Sequence, residues 1–127
     1  MAATRILVVD DDKEIAQLLR TIAEGEGFEA RVASDIASFK AAEDLFKPDI
    51  IVTDILMPDA DGVEVLKYLA QRGSTARIII LSGGDIEMRR MAKELGDAYR
   101  LNIVANLGKP LRVEAFRRQL APFKVAE

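Results

Sequence analysis

The sequence predicts an α/β fold: a (βα)5, doubly wound arrangement in which five parallel strands are covered by helices on both faces. Two observations carry that prediction. Five short apolar runs alternate along the chain with stretches whose apolar residues recur at helical spacing. The runs also end near a small set of polar residues, which a parallel sheet would gather along one edge because its strands all point the same way.

The central run is residues 49–53, where Ile50, Ile51, Val52 and Thr53 stand between Pro48 and Pro58. A β-branched run bounded in this way reads as a buried strand. Asp54 follows at its carboxyl end, where open α/β sheets bind their ligands. Pro58 fixes φ, and Gly62 permits backbone angles that other residues resist. Taken alone, Asp54 has a plainer alternative as a carboxylate that caps a turn.

The other elements follow in order. Residues 5–9 (Arg-Ile-Leu-Val-Val) read as a first buried strand ending at Asp10, Asp11 and Asp12. Ile15, Leu18, Leu19 and Ile22 then keep helical spacing, so one of those acids caps a helix that Gly25 and Gly27 stop. Residues 28–33 alternate as a second strand. Ser34 is the predicted cap of a helix through Phe46, with Ile36, Phe39, Leu45 and Phe46 offered to the core. Val63, Val65, Leu66, Tyr68 and Leu69 mark a third helix over 62–72, stopped by Gly73. Residues 76–81 form the fourth strand, ending at Ser82-Gly83-Gly84. Ile86, Met88, Met91 and Leu95 suggest a helix from 85 to about 99. Residues 102–107 are a short fifth strand before Gly108-Lys109-Pro110, and Pro110 suits the first position of a last helix carrying Leu111, Val113, Phe116 and Leu120.

Length and composition narrow the chemistry. A chain of 127 residues is one domain and buries about two thirds of its unfolded surface, enough to hold together without disulfide or structural metal. It has no Cys and no His, so thiolate and imidazole chemistry are excluded. Any reaction must use carboxylates, hydroxyls, Lys, backbone amides or an oxygen-bound metal. No apolar run approaches the roughly 20 residues that span a membrane. No signal-peptide pattern precedes Thr4 and Arg5, so a cytoplasmic location and no membrane partner are expected. Residues 1–84 carry 9 Lys and Arg against 15 Asp and Glu, whereas residues 85–127 carry 9 against 6. The mildly basic C-terminal third suits an acidic partner surface but is too weak to predict direct nucleic-acid binding.

The shared edge brings together Asp10, Asp11, Asp54, Ser82 and Lys109 from strands scattered through the sequence. Clustered carboxylates repel one another unless a cation intervenes. Oxygen donors without a soft ligand point to Mg²⁺. Lys109 could reach a carboxylate or phosphoryl group, Ser82 could hydrogen-bond a phosphoryl oxygen, and Gly83-Gly84 would leave backbone N–H groups open to an anion. Each residue also has an ordinary reading: a solvated acid run, a surface lysine, a helix cap, a flexible turn. Their conjunction at four strand ends is the specific signal.

Val8-Val9-Asp10-Asp11-Asp12, Val52-Thr53-Asp54-Ile55-Leu56-Met57-Pro58-Asp59-Ala60-Asp61-Gly62, Leu81-Ser82-Gly83 and Lys109-Pro110 together resemble the signature of two-component response-regulator receiver domains. The resemblance covers essentially the whole chain. It implies a flavodoxin-like strand order 2-1-3-4-5, with residues 1–121 as the receiver and 122–127 as a tail or linker start. It implies that Asp54 takes a phosphoryl group from a histidine kinase or phosphotransfer protein. Asp11, Asp54 and the Leu56 carbonyl would hold Mg²⁺, with Asp10 acting mainly through water. Ser82 and the Gly83 N–H would bind phosphoryl oxygens, and Lys109 would pair with the phosphate. The output would be signalling through the C-terminal face to a partner protein or output domain, with self-dephosphorylation at most as enzymatic activity.

The sequence departs from that pattern at three places. The position three before Lys109, which usually carries a switch aromatic, is Asn106; Tyr99 lies seven residues earlier, at the expected end of the fourth helix. The segment from Ser82 to Lys109 is longer than usual by about a helical turn. Leu56 and Gly84 replace polar residues that often position the hydrolytic water, which predicts slow or moderate loss of the phosphoryl group. Two alternatives remain: an interaction module that does not depend on phosphorylation, and a small Mg²⁺-dependent phosphotransferase. Against the latter, the chain is short for a cap domain and Leu56 cannot act as an acid or base. A last-helix face bearing Arg112, Arg117 and Arg118 offers a place for a partner or for a second copy of the chain, a homodimer.

Overall fold

Alternation along the strands dictates two apolar layers. Leu7, Val9, Ile51, Ile78 and Ile80 project to one side of the sheet, and Ile6, Val8, Ile50, Val52, Ile79 and Leu81 to the other. Each is buried, and burying an Ile, Leu or Val contributes about 1.5–3 kcal/mol relative to leaving it in water. Both faces must therefore be covered. A computed structural model, which describes residues 3–55, 57, 61–83 and 86–124, with backbone alone at 61, 88 and 89, shows how.

Strands and helices alternate as β1 (Arg5–Val9), α1 (Lys13–Gly25), β2 (Glu29–Ala33), α2 (Ile36–Phe46), β3 (Ile50–Asp54), α3 (Asp61–Gln71), β4 (Arg77–Ser82), α4 (Ile86–Ala98), β5 (Asn102–Gly108) and α5 (Val113–Leu120). A 3-10 turn, Ala121–Phe123, follows. All strand pairs are parallel and the order is β2-β1-β3-β4-β5, as expected from the sequence. Phe39, Phe46, Leu66 and Leu69 from α2 and α3, with Ala92 from α4, cover one face. Ala16, Leu19, Ile22 and Ala23 from α1, with Phe116 and Leu120 from α5, cover the other. Among the described residues, no helix is long and apolar enough to cross a membrane.

Several local expectations shift. The cap of α2 is Asp35, not Ser34: its carboxylate accepts from the Ser38 N–H at 2.8 Å while the Ser38 hydroxyl oxygen accepts from the Asp35 N–H. That reciprocal box satisfies two otherwise orphaned donors. Helix α5 begins at Val113 rather than at Pro110, because residues 110–112 carry the chain from the edge strand to the side where α5 packs beside α1. Leu45 is 78% exposed, so α2 faces inward through Phe39 and Phe46 instead. In α4 the inward residues are Ala92, Leu95 and Gly96, with Tyr99 just beyond; Ile86 is 74% exposed and Met91 faces solvent as well. The Met88 side chain lies outside the described residues.

Gly62 serves close approach rather than an unusual φ. A Cβ there would overlap the Ile55 backbone, so only glycine lets the start of α3 sit against the end of β3. Gly96 plays the same part where α4 meets β5, since a Cβ would overlap the Ile103 side chain.

Strand β5 differs from the rest. It forms one edge of the sheet, every residue in it is at least partly exposed, and its register with β4 slips between Ile78 and Ile79. Ile78 pairs with Ile103 and Ile79 with Ala105, leaving Val104 as the extra residue of a bulge.

Candidate functional site

The carboxyl ends of β1, β3, β4 and β5 converge as the sequence predicts. The backbone ladder continues just past each strand: Asp10 N–H donates to the Ala33 carbonyl at 3.1 Å, Ile55 N–H to Leu81 at 3.0 Å and Lys109 N–H to Ser82 at 3.0 Å. These bonds fix the strand ends, and the side chains at those ends inherit the fixed positions.

Asp10 is fully buried and Asp54 nearly so, while Asp11 is exposed. One Asp10 oxygen accepts from the Asp12 N–H at 2.9 Å, and the other meets the Lys109 ammonium at 3.0 Å. The same ammonium reaches Asp54 Oδ2 at 3.0 Å. Asp12 turns the other way and caps α1 through the N–H groups of Glu14 and Ile15. The acid run is thereby divided between structure and site.

Burial pushes the Asp10 carboxyl above its ordinary pKa; the Asp12 N–H and Lys109 oppose that shift, while the Asp54 charge adds to it. Burial alone would lower the Lys109 pKa, but its hydrogen bonds to Asp10 and Asp54 outweigh burial and hold it above the usual lysine value. Lys109 is therefore a fixed positive charge.

One oxygen from each of Asp10, Asp11 and Asp54 can be chosen so that all three lie within 4.8 Å of one another. Lys109 is shared between two of these three carboxylates, and the all-oxygen donor set suits a hard divalent cation such as Mg²⁺.

Ser82 is buried, and its hydroxyl donates to Asn106 Oδ1 at 3.2 Å. Gly83 is exposed beside the Lys109 stem, which a Cβ on it would meet at 3.6 Å. Leu56, whose carbonyl was predicted as a metal ligand, lies outside the described residues, as do Gly84 and Pro58. Tyr99 packs against the core beside α4. Two contacts were not read from the sequence. The first is the direct Asp10–Lys109 pair, since the resemblance gave Asp10 a role through water. The second is the Ser82–Asn106 bond, since Asn106 registered only as a missing aromatic. The second follows from the β4–β5 register past the bulge: Ser82 lies two residues after Ile80, the partner of Asn106, so the two side chains share a face.

The profile of the response regulator receiver domain family matches residues 6–120. The chain belongs to that family. Over 117 residues it is 35% identical to PhoP of Bacillus subtilis (strain 168), the alkaline phosphatase synthesis transcriptional regulatory protein; the match covers 91% of this chain and 49% of that protein. CpxR of Escherichia coli (strain K12), also a transcriptional regulatory protein, is 37% identical over 94 residues, covering 72% of this chain and 39% of its own length. The receiver thus spans about half or less of the curated relatives it matches. Among solved structures, a response regulator from Colwellia psychrerythraea superposes with a TM-score of 0.85 at 33% identity, over 96% of this chain and 97% of that one.

Proposed function

We propose that this receiver is a phosphoacceptor that takes a phosphoryl group onto Asp54 in a Mg²⁺-dependent reaction. The observation that carries the reading is the Lys109 ammonium held 3.0 Å from both Asp10 and Asp54, beside a third carboxylate. In the proposed transfer, an Asp54 carboxylate oxygen forms a bond to phosphorus as the bond from phosphorus to the donor's histidine nitrogen breaks, and the imidazole leaves. Lys109, released from its share of Asp54, pairs with the phosphoryl oxygens. The Ser82 hydroxyl and the Gly83 N–H donate to them. Mg²⁺, held by Asp11 and Asp54 with Asp10 close by and the Leu56 carbonyl as the implied further ligand, would offset charge on the transferred group.

The donor is a histidine kinase or phosphotransfer protein. Residues 1–121 act as the receiver, 122–127 lead on from it, and the signal leaves by the C-terminal face toward a partner or output domain. PhoP and CpxR are named as transcriptional regulators, which favours signalling over metabolite chemistry as the use of this site.

Intact mass after incubation with Mg²⁺ and acetyl phosphate, with and without chelator, tests the reading. One phosphoryl adduct is expected on the wild type, and none with chelator or on Asp54→Asn. The same samples followed in time should lose the adduct over minutes rather than seconds, because neither Leu56 nor Gly84 can orient water. No adduct on the wild type, with beryllofluoride also failing to bind, would overturn the phosphoacceptor reading and favour an interaction module independent of phosphorylation.

A further inference from the structure

A serine hydroxyl has one proton, and in this structure the Ser82 proton is already committed. Ser82 is fully buried at the end of β4, and its hydroxyl donates to Asn106 Oδ1 at 3.2 Å across the β4–β5 pair. Asn106 is half-buried on the edge strand. With Ile86, Arg90, Lys93 and Ile103 it lines a groove of about 590 Å³ between α4 and β5. Its amide therefore touches the strand-end cluster through Ser82 and the outer groove directly.

We propose that Asn106 is a positioning residue: it holds the Ser82 hydroxyl on β5 in the resting protein and loses that hydrogen bond when Asp54 is loaded. The inference rests on the phosphoacceptor reading above. A phosphoryl oxygen and Asn106 Oδ1 compete for the same proton, so loading exchanges one acceptor for the other. The exchange has two consequences. The resting bond lowers the apparent affinity of the site for a phosphoryl group by the factor needed to break it. It also couples the charge on Asp54 to the α4–β5 groove through a polar contact, with no aromatic side chain required at position 106.

The test titrates the full chain with beryllofluoride at saturating Mg²⁺, read by amide NMR, for the wild type, Asn106→Ala, Ser82→Ala and the double variant. Removing the competing acceptor should tighten beryllofluoride binding about 3–10-fold, the range expected for one neutral hydrogen bond. In the Ser82→Ala background the Asn106 substitution should change affinity less than 2-fold, because there is no proton left to compete for. In the wild type the Asn106 side-chain amide resonances should shift on loading. That measurement also serves if a substitution prevents folding.

Equal effects of Asn106→Ala in both backgrounds would reduce Asn106 to a packing residue and overturn the inference. So would unchanged affinity in Asn106→Ala or unmoved Asn106 resonances, in each case with the phosphoacceptor reading intact. A wild type that binds no beryllofluoride would overturn both.

Discussion

Strands β3 and β5 bring together Asp54, the last residue of one, and Lys109, the residue just past the other, at 3.0 Å, yet they are built differently. All five residues of β3 are buried between two neighbouring strands. Strand β5 has one neighbour, is half-buried along its length and carries the Val104 bulge. The carboxylate thus stands on the part of the sheet least able to yield, and the lysine and Asn106 on the part most able to. If Asp54 is loaded as proposed, the added charge should be accommodated by movement at β5 rather than β3, because local openings concentrate where few contacts oppose them.

The sharpest test of this contrast is packing. Ile51→Ala in β3 should cost about 2–5 kcal/mol in denaturant unfolding, as for other fully buried aliphatic truncations, whereas Ile103→Ala in β5 should cost roughly 1–2 kcal/mol. Equal costs would dismiss the contrast. Hydrogen exchange probes it without substitution: amides of Ile51 to Thr53 should open only with global unfolding, and those of Ala105 to Leu107 at least about 10-fold more often. Matching protection on both strands would count against a yielding edge.

The smallest expected effect is electrostatic. Burial raises the Asp10 pKa in the folded state above its unfolded value, so its ionised form works against folding at neutral pH and that penalty vanishes on acidification. With Mg²⁺ chelated, Asp10→Asn should therefore melt higher than the wild type at pH 7.5, with the gap narrowing as pH falls through the carboxylate range. A lower melting temperature for the variant at pH 7.5 would show that the pair with Lys109 outweighs burial.

The strand order and the convergence of Asp10, Asp54, Ser82 and Lys109 were legible because they follow from alternation and from the parallel direction of the strands. The α2 cap was legible and passed over: three residues after Asp35 stands Ser38, which can complete a capping box, whereas three residues after Ser34 stands Ala37, which cannot. Less legible were features set by pairs of elements. The helix α4 was legible from Ile86, Met91 and Leu95, but of these only Leu95 packs inward. It is Ala92 and Gly96 that fit against the sheet, where small residues let the helix come close. The link from Lys109 to Asp10 needed three-dimensional placement, since the two lie 99 residues apart.

The opposite edge of the sheet carries its own consequence. The Thr4 hydroxyl donates to the Phe123 carbonyl at 3.1 Å, the Arg77 guanidinium lies 4.7 Å from the centre of the Phe123 ring, and Lys124 pairs with Glu26. The first and last described stretches are thereby clasped together, on the far side from Asp54 by the length of a five-residue strand, about 16 Å. Thr4 and Phe123 thus act as a latch at the back of the sheet, a strand's length from the carboxylates. Substitutions that loosen this latch should therefore lower stability without touching the carboxylate cluster directly.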